Sequence, residues 1–545
     1  MKNTPASHKL YHDPLTSRGN FGNVRRTMRL TRISCLALLT CSVCGITHAA
    51  EAPAIVRKLS LQDCFRMALE NNYNIEIGDK VSLGVSADLD LSSGGRLGLE
   101  LARINLHQEY AVYDPELKMR AGKSWNERPG GRDPLTGLAG AGGYNWDQSY
   151  RMGVQGLLPS GTTYELFTET GRTMDSNQPI GDPAEYDSSA GITLTQPLLK
   201  GGWMYDSSRL SLKFRKSDLK LAELSFKLLV MDTLRKVSEG YYDLAAARGQ
   251  VTVREKALEL AGKLVEENKK KVQVGNLAPL DERQAESQAA TAKADLTQAI
   301  FDAQSREMEL KSLITRDYVK VQAEAYEPTD SLVAVYQVFT LVEAWRTALE
   351  IRPDYLTKKE NLQRDRISLS FIKNGMLPQL DLSTTYRRNG LAGNTIDAYD
   401  QVADNRFPGW SGFITLTVPL TYRQERDNLK QAKLAIQQGI TDLKRTEDLV
   451  IQEVDLAIKQ VKSAYEATQS TREARKFAEE ALEAEQKKLD NGKSTSFQVL
   501  QFQRDLTQAS SAEIRAAAEY NKALQNLYFK EGTTLERNKV NLEIK

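Results

Sequence analysis

At 545 residues the chain has room for two or more ordinary domains, yet 26% of it is charged and it holds only five tryptophans, which argues against a string of packed globules. Lys and Arg (73) nearly cancel Asp and Glu (71), so no basic field marks a nucleic-acid binder. The four histidines form no cluster with Cys or Asp at ligand spacing, and no GxGxxG, P-loop or nucleophile elbow occurs, so neither an enzyme, a metal site nor a cofactor is expected.

The N-terminus carries Arg25, Arg26, Arg29 and Arg32, then the apolar run Ile33 to Ile46, then the small-residue end "THAAEA". This pattern predicts a secretory signal peptide cleaved after Ala49, with Met28 as an alternative start. The apolar run is shorter than the roughly 20 residues a membrane-spanning helix needs. Cys35, Cys41 and Cys44 lie in it, leaving Cys64 alone in the mature chain without a disulfide partner. "LLTC", ending at Cys41, comes near a lipid-attachment context without matching it. No later apolar run is long enough to cross a membrane, so any insertion must use strands.

Next comes a short helix, "LSLQDCFRMALENN" (Leu59 to Asn72), then a section with the period-two alternation of two-faced strands. Leu117, Met119 and Ala121 alternate with Lys118 and Arg120, and Tyr150, Met152 and Val154 with Arg151, Gly153 and Gln155. Ile192 and Leu194 close the section. "YRMGVQGLLPSGTTYELFTETG" reads as a hairpin turning at Pro159 to Gly161, and "ERPGGRDPLTGLAGAGG" as a long loop. Trp125, Trp146, Trp203 and Trp410 fall in or beside strands, where a membrane barrel sets its aromatic girdle. Alternation alone fits a soluble sandwich equally well.

From Ser207 to Lys271 no proline interrupts a helical pattern that would extend roughly 100 Å. Leu221, Leu224, Leu228, Met231, Leu234, Val237, Tyr241 and Leu244 recur at three- and four-residue steps, so one face seeks a partner helix. Gly275 then supplies a left-handed stop and Pro279 a first-turn start, reversing the chain. The alternative is a kink within one longer helix. The returning segment carries Ala285, Ala289, Ala292, Ala299 and Ala303, small side chains that let helices approach closely.

The same order then recurs. "FTLVEAWRTALEIR" (Phe339 to Arg352) matches the first short helix, and Leu380, Leu382, Thr384, Tyr386 and then Ile414, Leu416, Val418 repeat the alternation around a long loop, "RRNGLAGNTIDAYDQVADNRFPGW". "FITLTVPLT" matches "GITLTQPLL". Leu443, Val450, Val454, Ala457, Val461 and Ala464 mark the second long helix. It ends at Asn491 and Gly492, with Ser494, Thr495 or Ser496 as the next N-cap. The expected organisation is an extension with signal peptide (1–49) and two repeats. The first (50–338) holds a short helix, strands at about 110–200, a helical hairpin at about 207–315 and an equatorial segment at about 316–338. The second (339–545) holds a short helix, strands at about 377–422, a hairpin at about 423–530 and a tail.

From Leu59 to about Leu535 the layout resembles the TolC family of outer-membrane channels, through "LSLQDCFRMALENN", "LTQPLLKGG" (Leu194 to Gly202), "GYYDLAAA" (Gly240 to Ala247) and "VGNLAPLD" (Val274 to Asp281). The resemblance implies an α+β membrane protein: a trimeric outer-membrane β-barrel continued by a long periplasmic α-helical coiled-coil barrel, with two repeats per protomer. It implies outer-membrane lipid around the strands and hairpin tips that meet a periplasmic adaptor (membrane fusion) protein, itself joined to an inner-membrane transporter. By position Val274, Gly275, Asn276 and Asp281 in the first tip, and Asn491, Gly492, Lys493 and Ser494 in the second, would contact the adaptor.

The sequence departs from that family twice. Gln498 and Gln501 stand where many members place acidic gate residues, so they either narrow the mouth through hydrogen bonds or face neighbouring helices. The first strand section spans 127 residues (Glu70 to Pro197) against 69 (Glu350 to Pro419) in the second. The excess includes "IEIGDKVSLGVSADLDLSSGGRLGLE", an apparent insertion, and the extra hairpin, which either widens the barrel beyond the family's four strands per protomer or projects from it. The leading expectation is the exit duct of a tripartite efflux pump or type I secretion system. The alternative is a periplasmic coiled-coil spacer or adaptor.

Overall fold

The computed structural model describes residues 55–81, 89–91, 94–130, 135–137, 142–175, 185–203, 205–275 and 277–541. The expected signal peptide and its three cysteines lie outside them, as does Asn276.

Strand β1 (Ile55–Leu59) leads into α1 (Leu61–Asn71). Ser60 starts α1 through a capping box in which its side chain accepts from the Asp63 backbone and Asp63 accepts in return. Then come α2 (Tyr73–Ile77), a small antiparallel pair β2 (Asp79–Val81) and β3 (Leu89–Leu91), and α3 (Arg96–Tyr110). The segment read as an insertion is therefore only partly extra, because its end is the helix that carries the chain up to the first long strand.

Strands β4 (Glu116–Arg128), β5 (Gly143–Leu157), β6 (Thr163–Asp175) and β7 (Glu185–Pro197) follow. The chain then enters α4 (Ser207–Gln273), returns as α5 (Pro279–Ile314), and passes α6 (Tyr318–Val321) and β8 (Glu324–Pro328). The second half contains α7 (Leu341–Ile351), α8 (Pro353–Gly375), β9 (Gln379–Ala392), α9 (Thr395–Ala403) and β10 (Phe407–Thr417). It ends with α10 (Arg423–Asp490), α11 (Ser496–Glu531) and α12 (Thr534–Arg537). The long helices are 67 and 68 residues and their returning partners 36 each. A partner of half the length covers half of each long helix; α3 and α8 lie along the other half, beside the sheet.

Six strands form one antiparallel sheet in the order β10-β9-β7-β6-β5-β4. Its two faces differ chemically. One cross-strand row runs Leu117, Val154, Leu166, Ile192, Tyr386, Trp410, and the neighbouring row on the opposite face runs Glu116, Gln155, Glu165, Thr193, Thr385, Ser411. In a soluble sandwich a second sheet would cover the apolar row. Here Leu117 is 59% exposed and Trp410 85%, so the sandwich alternative fails.

The loop expected between β9 and β10 holds α9 instead. Asn394 caps it by accepting from the Asp397 backbone at 2.9 Å, and Ala398 and Val402, four residues apart, are buried against β7 and β9. Glycine and asparagine read as loop signals here serve as a cap and a close approach: a Cβ on Gly390 would lie 2.0 Å from the Ala398 carbonyl oxygen.

The main core sits midway along α4. Leu228, Met231, Leu234, Val237, Tyr241 and Leu244 pack against Phe65 and Ala68 of α1, Leu310 and Ile314 of α5, and Phe529 of α11. Each such side chain contributes about 1.5–3 kcal/mol of burial. Pairing of β1 with β8 in parallel register closes this equatorial region, and Tyr241 donates to the Leu59 carbonyl at 3.1 Å. A second equatorial element is a buried ion cluster. Arg352 binds Asp354 (2.8 Å) and Glu453, and Lys530 approaches Glu453 at 3.3 Å, joining the α7–α8 junction to α10 and α11.

Candidate functional site: the two hairpin tips

The sheet connects to the first residues of α4 and α10, so the opposite ends of these helices project farthest from it, about 100 Å away by helix rise. At the first tip the Val274 backbone donates to Lys270 O at 3.2 Å and Gly275 to Val272 O at 3.0 Å, with Gly275 at φ +78°. Only glycine holds that left-handed backbone without strain. Pro279 opens α5, and Asp281 and Glu282 in its first turn face the positive end of the helix dipole. The kink alternative is thereby excluded, since two separate helices meet at a capped reversal.

The second tip uses the same device with different residues. Gly492 sits at φ +68° and donates to Leu489 O at 3.0 Å, while Lys493 reaches back to Lys488 O at 2.8 Å, a Schellman closure. Asn491 adds a side-chain bond to Lys487 O at 2.8 Å. Of the three N-cap candidates it is Thr495 that caps α11, accepting from the Gln498 backbone. Ser494 instead donates to Glu485. Hydrogen bonds from Ser494 and Lys488 hold the Glu485 carboxylate below its ordinary range.

Val274, Gly275, Asn491, Gly492 and Lys493 are exposed, Val274 to 70%; Ser494 and Asp281 are half-buried. Lys270, Lys271, Lys487 and Lys488 occupy the last turns of the two long helices, so the reversal surface is basic on that side. A residue the sequence did not single out binds the tips together. Asn268, fully buried, accepts from Ser496 Oγ at 3.0 Å and donates to the Asp281 carbonyl at 3.2 Å, linking α4, α5 and α11. Leu264, Leu482, Val499 and Leu500 pack beside it. The signal for Asn268 was an amide on the apolar stripe just before a helix stop.

Gln498 and Gln501 lie exposed on the first turns of α11. The Gln498 side-chain amide lies 3.0 Å from the Ser494 hydroxyl, whose one proton goes to Glu485, and Gln501 donates to Asp505 at 3.1 Å. Asp505, seven residues beyond Gln498, puts a carboxylate on the same helix face, one turn beyond the glutamines that the sequence singled out. Among the described residues there is no metal-holding cluster.

A profile of the outer membrane efflux protein family matches residues 156–316 and 345–533, more than half of the chain. The chain belongs to the outer membrane efflux protein family. No curated protein sequence matches it. Among solved structures, this efflux protein is similar to the CmeC outer membrane channel of Campylobacter jejuni, with a TM-score of 0.58 at 15% identity over 89% of this chain and 90% of that one. The open state of the Neisseria gonorrhoeae MtrE outer membrane channel gives 0.58 at 16% identity over 88% and 91%. The outer membrane protein VceC of Vibrio cholerae gives 0.56 at 15% identity over 87% and 96%. The efflux protein therefore has the fold of the TolC-type channels that its sequence resembles. It is an outer-membrane channel rather than an enzyme, with its helical part in the periplasm.

Proposed function

We propose that three copies of this efflux protein form the exit duct of a tripartite pump or type I secretion system, and that both hairpin tips dock on a periplasmic adaptor that joins the duct to an inner-membrane transporter. The observation that carries this reading is the placement of two adjacent, exposed, basic reversals at the far end of helices rooted in a sheet with an apolar outer face. Val274, Gly275, Asn276, Asp281, Asn491, Gly492, Lys493 and Ser494 make the adaptor contact, and Gln498 and Gln501, with Asp505, line the periplasmic mouth. Lysines at the helix ends favour a partner surface rich in carboxylates and carbonyl oxygens.

Trimer formation is supported by the lateral edges. α3 leads into β4 at one edge and leaves Leu97, Leu101 and Ile104 more than half exposed; β10 leads into α10 at the other, with Leu434 64% exposed. Each contact between neighbouring copies sets the α3–β4 edge of one against the β10–α10 edge of the next, and a closed ring leaves neither edge open. The two halves of the chain, 50–338 and 339–545, act as repeats of one unit that supply neighbouring segments of the same wall.

A photo-crosslinking amino acid at Val274 or Lys493 is expected to capture the adaptor in living cells, while the same group on the exposed face of α5 at Phe301 captures nothing. Capture at Phe301 alone would remove the tip assignment.

A further inference from the structure

We infer that the outer-membrane wall of this efflux protein is an eighteen-stranded barrel, six strands from each of three copies, and that β5–β6 are an inserted hairpin that widens it. The inference rests on the trimeric duct proposed above. β4 follows α3 as β9 follows α8, and β7 precedes α4 as β10 precedes α10, so β5 and β6 are the pair without a counterpart in the second half.

Three observations place that hairpin in the wall. Its register is continuous on both sides, from Thr163↔Thr195 to Thr173↔Glu185 against β7 and from Glu116↔Gln155 to Arg128↔Gly143 against β4. The alternation of faces passes through it unchanged: Tyr150, Met152 and Leu166 are about half exposed on the apolar side. On the polar side Arg151 pairs with Glu165 at 3.0 Å and Glu169 at 2.8 Å, and Glu169 accepts from Ser189 of β7. A hairpin projecting into water would leave that apolar side wet. At 15 and 13 residues its strands also exceed the 9–11 that a tilted strand needs to cross a bilayer.

Even strand number and circumference agree with closure. The six strands alternate in direction, so β10 of one copy meets β4 of the next antiparallel, as barrels of this kind require. Strands about 4.8 Å apart and tilted about 40° take about 6 Å of circumference each, so eighteen close at about 110 Å but twelve at about 75 Å. Each copy contributes four helices side by side towards the tips (α4, α5, α10, α11) and four beside the sheet (α3, α4, α8, α10), and twelve helices about 9 Å apart need about 110 Å. Eighteen strands thus continue the helical wall without a constriction. Allowing about 10 Å for side chains leaves a mouth about 25 Å wide, room for two α-helices of about 10–12 Å abreast.

The test is electron cryomicroscopy of the full chain in lipid nanodiscs, beside a variant in which residues 129–184 are replaced by an Asn-Gly turn joining β4 to β7. The expected result is a trimer with eighteen strands, falling to twelve in the variant. A trimer with twelve strands and β5–β6 outside the wall would overturn the inference while leaving the duct intact. Single chains without a barrel would overturn both.

Discussion

At the residue scale, the buried ion cluster and the buried Cys64 thiol make opposite demands. Arg352 is 2% exposed and faces Asp354 and Glu453, so removing it takes the guanidinium from two buried carboxylates, of which Glu453 keeps Lys530. Arg352→Ala is expected to cost about 3–5 kcal/mol, read as a lowered denaturant midpoint of the purified protein. Burial, together with Asp63 and Asp330, pushes the Cys64 thiol up to about 12. In the folded protein Cys64 should resist maleimide at pH 8 and react fully once denatured. Tip glycines were legible from the sequence because a left-handed stop has few alternatives. The role of Arg352 was not legible: its partner Glu453 lies 101 residues away, a distance no local pattern spans.

At the element scale, the tips and α9 depend on glycine for different reasons. A Cβ on Gly275 or Gly492 would meet nothing within 4 Å, so substitution there is limited by backbone strain of about 1–2 kcal/mol. Gly275→Val and Gly492→Val are expected to leave outer-membrane assembly intact and to lower export. Gly390→Ala acts sterically, and should raise amide exchange across α9 without exposing the strands beneath. Asn268→Ala should raise exchange at both tips together, since one amide serves both hairpins. Glu485 binds the second tip in its ionised form. Its lowered pKa stabilises that tip fully above the ordinary carboxylate value and loses it as pH falls through the shifted one. Exchange in residues 485–496, corrected for intrinsic rate, should therefore rise below about pH 4, and Ser494→Ala should show the rise already at neutral pH. Long helices and alternating strands were legible because their periods repeat over many residues. β1 and β8 were not, since five residues of parallel pairing across 269 positions leave no local signature.

At the scale of the whole molecule, an apolar sheet face, uncovered helix edges and two open strand edges are tolerable only if lipid and further copies cover them. The order of elements was legible through self-similarity. The six-strand count was open, because a hairpin inserted into a wall and one projecting from it share the same alternation. The measurement that tests this account most directly is the mass of the detergent-extracted particle by light scattering, with detergent subtracted. Three chains per particle, recovered from the outer-membrane fraction, are expected. A monodisperse single chain that stays soluble without detergent would contradict the account.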